Sequence, residues 1–587
     1  MRQDPHSYAD DQQPTVDEVD WQAHIDFDRH LIQATAHLFF TTPGQGPLDL
    51  DTRDLSISGI EDANGQPLPF ELSAADPILG QRLRVRLAQP TGSLRIRYET
   101  SPQASALQWL TPAQTAGGKL PFLFSQCQAI HARSLIPLQD TPRNRIRYRA
   151  TVNVPRSMRA LMSAGQLARE ERGHRAVERF EMLQPIAPYL FALAVGDLVS
   201  RDLGPRSRVW AEPVQIEAAA YEFAEVDSML TAAELLFGPY DWERFDFLVL
   251  PPSFPYGGME NPRLTFLTPT LLAGDRSLVA VLAHELAHSW AGNLVTNANA
   301  EHFWLNEGLT VYAERRIIEA LYGPDVAAVS AAGGWHALEQ SIANLRDRPE
   351  LTCLRTHLTG ISPDDAFSSV PYEKGYLLFK AMEESLTRPV FDSFLKRYLQ
   401  HFRFKSLTTE EFVKFVDGLF PRLLQMVDAA SFFDSPGIPP GARRPVSARL
   451  QSIEALGTRL PTPAQAKNWT PSEWEVWIAQ LKGGSLTASS IEEIDEQFGL
   501  TQSGNYEILG AWLELAIGAD YPPAIPRVEQ VLGAVGRMKY LKPLYRALAR
   551  RDLQHAQGLF ARNRAGYHPI AVQVIGSVLK SAESPLE

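Results

Sequence analysis

The sequence predicts a multidomain α+β protein, and three changes of pattern along the chain predict it. From about Trp21 to about Val199 apolar and polar residues alternate in short runs separated by turn signals. From about Arg201 to about Gln425 the spacing becomes mostly helical, and beyond a Pro/Gly-rich stretch, Ser435 to Pro445, it is helical throughout. The chain therefore divides into an N-terminal all-β domain (1–200), a mainly helical central domain (201–434), a linker (435–455) and a C-terminal helical bundle or solenoid (456–587). With 587 residues, 44% hydrophobic and 21% charged, there is material for several ordinary globular cores.

In the first part, Leu31 to Phe40, Leu48 to Ile57, Arg82 to Leu87, Leu94 to Tyr98, Arg145 to Val154 and Glu178 to Val199 read as strands. Thr42-Pro43-Gly44, Asn64-Gly65 and Pro90-Thr91-Gly92 read as the turns between them. The arginines at alternate positions of two of these runs are the solvated faces of half-buried strands. Together with a net charge of −12, that argues against a nucleic-acid partner, whose phosphates require clustered bases. The segment Phe124-Ser125-Gln126-Cys127-Gln128-Ala129-Ile130-His131 suits either a polar edge strand or two glutamine amides reaching into a neighbouring site.

The acidic start before Trp21 is a candidate disordered arm and lacks the charged and apolar regions of a signal peptide. No run approaches eighteen apolar residues, so no membrane span is expected. Cys127 and Cys353 are too few for a disulfide framework, and the cytoplasm is the expected compartment.

In the central part Phe245 to Leu250 reads as a strand, followed by Pro251-Pro-Ser-Phe-Pro-Tyr-Gly-Gly-Met-Glu-Asn261. The adjacent Gly257 and Gly258 permit close approach of another backbone, such as a peptide, and Glu260 follows as a fixed negative charge; a simple turn is the plainer alternative. Next comes His284-Glu285-Leu286-Ala287-His288, after a run offering Asp275 or Ser277 as helix cap and Gly292 as stop signal. Positions i and i+4 share a helical face, so both imidazoles address one point, which is two ligands of a zinc site. Glu307 follows with eighteen residues between, on a second helix running from Trp304 to a stop at Gly323-Pro324; Glu314, seven residues further, can orient either histidine as an outer carboxylate. An amphipathic helix with two satisfied histidines is the competing explanation. Downstream, Pro371-Tyr372 marks a helix start where a hydroxyl can donate to a developing oxyanion. In the C-terminal part Ile508, Trp512 and Leu515 carry the helical period, and Gly536-Arg537-Met538-Lys539 sets two cations on what is otherwise a solvated helix surface.

Taken together, Gly257-Gly258-Met259-Glu260-Asn261, the His284/Glu285/His288/Glu307 spacing and Tyr372 resemble the zinc aminopeptidases of the gluzincin class (peptidase family M1). Phe303-Trp-Leu-Asn-Glu-Gly308, Ser368-Ser-Val-Pro-Tyr-Glu-Lys-Gly375 and Arg537-Met-Lys539 look most like the leukotriene-A4 hydrolase branch, and the resemblance runs nearly end to end. It implies a saddle-like β domain, a thermolysin-like catalytic domain and a helical C-terminal domain. It implies one zinc ion per chain held by His284, His288 and Glu307, with Glu285 as general base and Tyr372 as oxyanion donor. Glu260 with Gln128 would anchor a free α-amine, with Gln126 beside them, and Arg537 and Lys539 would receive the carboxylate of a short peptide. A monomer acting on short peptides is the expectation. The branch carries Tyr where this chain has Phe367 and Val where it has Asp365, whereas Asp364, tied to water placement in the epoxide reaction, is retained; lipid-epoxide hydrolysis is thus the alternative activity.

Overall fold

Alternation of apolar and polar residues builds one long twisted sheet at the N-terminus. The computed structural model describes residues 3–482 and 486–583. Among these, the sheet runs in the order Gly165–Arg172, Arg175–Ile186, Ile146–Pro155, Val16–Asp26, Leu31–Thr52, Gln81–Glu99, Ser56–Asp62, with Phe70–Leu72 also paired to Gln81–Glu99. The two arginine-bearing runs are one strand, Gln81–Glu99, rather than two. The expected turns Thr42-Pro43-Gly44 and Pro90-Thr91-Gly92 lie opposite one another in the ladder, Gly44 against Thr91, with register shifts on either side. The irregularity is absorbed as a bulge, so the strands continue through it. The run expected from Leu48 to Ile57 is broken instead between Thr52 and Ser56. Arg97 pairs with Glu61 at 2.6 Å on the exposed face, whereas Arg84 reaches a buried Asp49 at 2.7 Å.

A smaller sheet, Leu107–Leu110, Phe122–Ser125, Leu193–Gly196 and Arg159–Met162, follows. Its strand Phe122–Ser125 hands the chain directly to Gln126 and Gln128. The central region holds more strand than the sequence suggested. Beside Phe247–Val249 lie Val199–Asp202, Arg208–Ala211, Gly258–Met259 and Thr265–Leu267, in one five-stranded sheet. Strands of two to four residues are too short to carry a period-two signal, which is why the sequence shows only one of them. The region 435–455 is not linker throughout, since Ser447 caps a helix Ala448–Glu454 through its hydroxyl. One apolar core joins the sheets to the central helices up to Phe433, and a second, Leu450 to Leu579 together with Ala332 of the central region, serves the C-terminal helices. No helix among the described residues is long and apolar enough to cross a membrane.

The acidic start is not a free arm; Met1 and Arg2 lie outside the described residues. Ser7 Oγ donates to Asp51 at 2.5 Å, the Tyr8 amide donates to the same carboxylate at 2.7 Å, and Arg133 donates to the His6 carbonyl at 2.7 Å. Arg133 is fully buried, with Nε on Asp140 at 2.9 Å and Nη1 on the Leu79 carbonyl at 2.8 Å. Removing the cation from a buried pair leaves an uncompensated charge, at a cost of about 3–5 kcal/mol. Arg133→Met should therefore lower the unfolding free energy by that order in an equilibrium denaturant titration. A loss under about 1 kcal/mol would show the pair to be dispensable.

Candidate active site

Two helices and a glycine pair build the site. The first helix, Val279–Ala287, begins without a side-chain cap: Asp275 instead accepts from the Ser277 amide at 2.9 Å, in the turn before it. His288 stands at its C-terminal cap rather than inside it. The second helix, Trp304–Tyr322, stops at Gly323 as the sequence indicates. It crosses the Tyr372 helix, Val370–Leu386, at Gly308 and Gly375, where a Cβ on either glycine would stand 2.7 Å from the other's Cα. That close crossing joins the helices that carry Glu307 and Tyr372, both of which line one cleft, and the sequence alone does not reveal it.

His284 Nδ1 donates to Glu314 at 3.0 Å, so Glu314 orients His284 rather than His288. His288 Nδ1 donates to the Ala291 carbonyl at 3.0 Å. In the neutral rings, with Nδ1 the donor, each Nε2 presents its lone pair, and the two face each other at 3.1 Å. Glu307 Oε2 lies 3.5 Å from each, buried and without a hydrogen-bond partner. Two lone pairs and an orphaned carboxylate oxygen aimed at one point repel unless a cation lies among them. The donor set is two imidazoles and one carboxylate, which fits zinc.

Around this point the cleft, of about 380 Å³, is lined by Gln128, Gly257, Gly258, Glu260, Glu285, Tyr372, Arg537 and Lys539. Burial, reinforced by the charges of Glu260, Glu307 and Glu314, pushes the Glu285 carboxyl up to about 8, and burial pushes the Glu260 carboxyl up to about 7 against the opposing pull of His284, Asn306 and Gln128. Burial also lifts the Tyr372 phenol well above its ordinary range, so it stays a proton donor; its ring lies parallel to His284, centroids 6.2 Å apart. Gln128 Nε2 donates to Glu260 at 3.2 Å, and Asn293 holds the Glu260 carbonyl at 2.7 Å. Gln126 does not reach the cleft: it donates to the Met259 sulfur at 3.1 Å and braces the segment from behind.

The glycine pair has a tighter local reason than substrate approach. A Cβ on Gly258 would lie 2.2 Å from Glu285 Oε1, and one on Gly257 would lie 2.7 Å from Arg537 Nη2. Gly258→Ala must displace the Glu285 carboxylate, and a misplacement of about 1 Å at a reacting group costs on the order of a hundredfold. Steady-state assay of that variant should show the loss in kcat with its melting temperature little changed; wild-type kcat would mean that Glu285 has room to shift harmlessly.

Arg537 is buried at the start of the helix Met538–Arg551 and holds Glu507 at 2.9 Å, while Lys539 is half-exposed and bound to Glu507 and Glu475. These acids, with Tyr540 and Asn293, are site neighbours that no motif in the sequence marked. Asp364 lies outside the cleft. It accepts from His131 Nε2 at 2.9 Å and lines a mostly apolar cavity that shares Gln128, Tyr256 and Phe367 with the cleft wall.

The profile of the peptidase M1 N-terminal domain matches residues 5–190, that of the peptidase family M1 domain residues 221–431, and that of the leukotriene A4 hydrolase C-terminal domain residues 469–579. Leukotriene A-4 hydrolase of Xenopus laevis is 40% identical over 608 residues, covering 99% of this chain and all of that one. Leucine aminopeptidase 2 of Yarrowia lipolytica is 40% identical over 91% of this chain and 86% of its own. The structure of yeast LTA4 hydrolase in complex with bestatin superposes with a TM-score of 0.92 at 33% identity, covering 99% of this chain and 97% of that one. The chain belongs to peptidase family M1, in the leukotriene A4 hydrolase-like branch.

Proposed function

We propose that the protein is a zinc-dependent aminopeptidase that removes N-terminal residues from short peptides. The observation that carries this reading is the convergence of His284 Nε2, His288 Nε2 and the partnerless Glu307 Oε2 within reach of Glu285 and Glu260. The second acid group, Glu260 and Glu285, shares His288 with the first, which supports one zinc ion per chain. When bound, zinc lowers the pKa of its water and polarises the scissile carbonyl. Glu285 takes the proton of the attacking water and passes it to the leaving amine. Tyr372 donates its O–H to the developing oxyanion. Glu260, braced by Gln128, pairs with the substrate's α-ammonium and fixes the register at the first residue. Arg537 and Lys539 receive the far carboxylate of a short peptide. A monomer is part of the same reading, and the free, buried Cys127 and Cys353 support a reducing compartment, the cytoplasm.

The test is hydrolysis of a panel of aminoacyl anilides by the purified protein, before chelation, after it, and after zinc return. Activity is lost on chelation and restored by zinc. Turnover that survives complete removal of metal sinks the proposal. A second reading, lipid-epoxide hydrolysis, is favoured by one observation: the apolar cavity beside the cleft with Asp364 in its wall. Diol formation from an allylic epoxide that Asp364→Asn abolishes would support it, and its absence would leave the peptidase alone.

A further inference from the structure

The cations assigned above to a peptide's carboxylate are already engaged. Arg537 is 6% exposed, and its Nη1 donates to Glu507 Oε1 at 2.9 Å, Tyr540 Oη at 2.7 Å and Thr270 Oγ1 at 3.3 Å. Lys539 Nζ donates to the other oxygen of Glu507 and to Glu475 at 3.3 Å. Tyr540 donates to Glu507 Oε1 at 3.0 Å, and Glu507 itself is buried. One carboxylate thus takes both cations, each through its own oxygen. What it leaves is the other edge of the guanidinium. Arg537 Nε is buried with no acceptor among the described residues, and Nη2 lies at Gly257, in the cleft wall.

We infer that Glu507 is a specificity-determining residue at this end of the cleft. It commits Lys539 and one guanidinium nitrogen, so Nη2 of Arg537, at the cleft wall beside Gly257, is the donor offered to a C-terminal carboxylate, and it offsets one of the two positive charges attracting that carboxylate. The inference deepens the aminopeptidase reading and rests on it. With Glu475 counted, two cations face two acids, so the carboxylate is recognised by a directed charge-assisted hydrogen bond rather than by excess charge. Binding of that kind selects short peptides with a free C-terminus, yet lets a shortened product that keeps its carboxylate depart.

Charge offset has a signature that simple packing lacks: removing the acid and removing the cation act in opposite directions. The experiment compares a tripeptide with its C-terminal amide as substrates of the full chain, and measures inhibition by a dipeptide acid. In Glu507→Gln the acid-to-amide ratio of kcat/KM rises at least about fivefold, through KM, and dipeptide inhibition tightens by a similar factor. In Lys539→Met the ratio falls by a similar factor. A unit charge a few ångströms away at an effective dielectric of about 20 exceeds this scale, which leaves room for screening. Ratios are taken within each variant, so partial loss of folded protein cancels. Should Glu507→Gln fail to fold, Glu475→Gln carries the same expected sign. A shift of the same sign in the acid and cation variants, or none, overturns the inference. A wild type that treats acid and amide alike overturns the carboxylate assignment as well, while the chelation result stands independently.

Discussion

Glu285→Gln should lower kcat/KM on a good aminoacyl anilide by at least about a hundredfold while the protein keeps its zinc. The size follows from the role, since a positioned general acid–base contributes about 10²–10⁴-fold. The retention of zinc follows from the geometry, because the donor set His284, His288 and Glu307 does not include Glu285. Glutamine preserves the shape that Gly258 leaves room for, so the loss is chemical rather than steric. The carboxyl is 5% exposed and burial pushes it up to about 8, a setting in which it shuttles a proton instead of holding a fixed charge. The check is a kinetic assay paired with metal analysis of the same preparation. Wild-type turnover with zinc bound would remove Glu285 from the mechanism; loss of both zinc and activity would recast it as a structural support of the metal.

Much of this site was legible in the chain because its chemistry sits on local periodicity. His284 and His288 share a helical face by spacing alone, and Glu307 and Glu314 lie two turns apart on one helix. What spacing cannot show is how separate elements meet. The Gly308–Gly375 crossing joins residues distant in sequence, and nothing near either glycine announces its partner. Glu507 reads as an ordinary first-turn acid of the helix Tyr506–Gly518 until the fold sets Arg537 and Lys539 against it. The same limit governs the fold. Long alternating runs such as Ile146–Pro155 declare themselves, whereas Gly258–Met259 and Thr265–Leu267 are strands only because a sheet edge awaits them. The acidic start failed as a disordered arm for a related reason: Ser7, Tyr8 and His6 find partners in Asp51 and Arg133, which composition cannot anticipate.

Blocking the substrate's amine should expose Glu260 as the group that makes the enzyme an exopeptidase. In the wild type, N-acetylation of a good peptide substrate should lower kcat/KM by at least about tenfold. A charge-assisted hydrogen bond contributes about 1.5–3 kcal/mol, and about 1.4 kcal/mol corresponds to each decade. The structure makes the penalty larger than the lost contact. Glu260 is 4% exposed, and Gln128 at 3.2 Å offers a neutral donor in place of a counter-charge. An acetylated substrate buries that carboxylate further and supplies nothing to pair with it. Glu260→Gln separates this from a steric effect of the acetyl group. If the ammonium–carboxylate pair is the cause, the free-to-blocked ratio collapses towards unity in the variant, because each change removes the same interaction and the two cannot add. A ratio that persists undiminished in Glu260→Gln would place the amine anchor elsewhere in the cleft and leave Glu260 a bystander to the chemistry at His284 and His288.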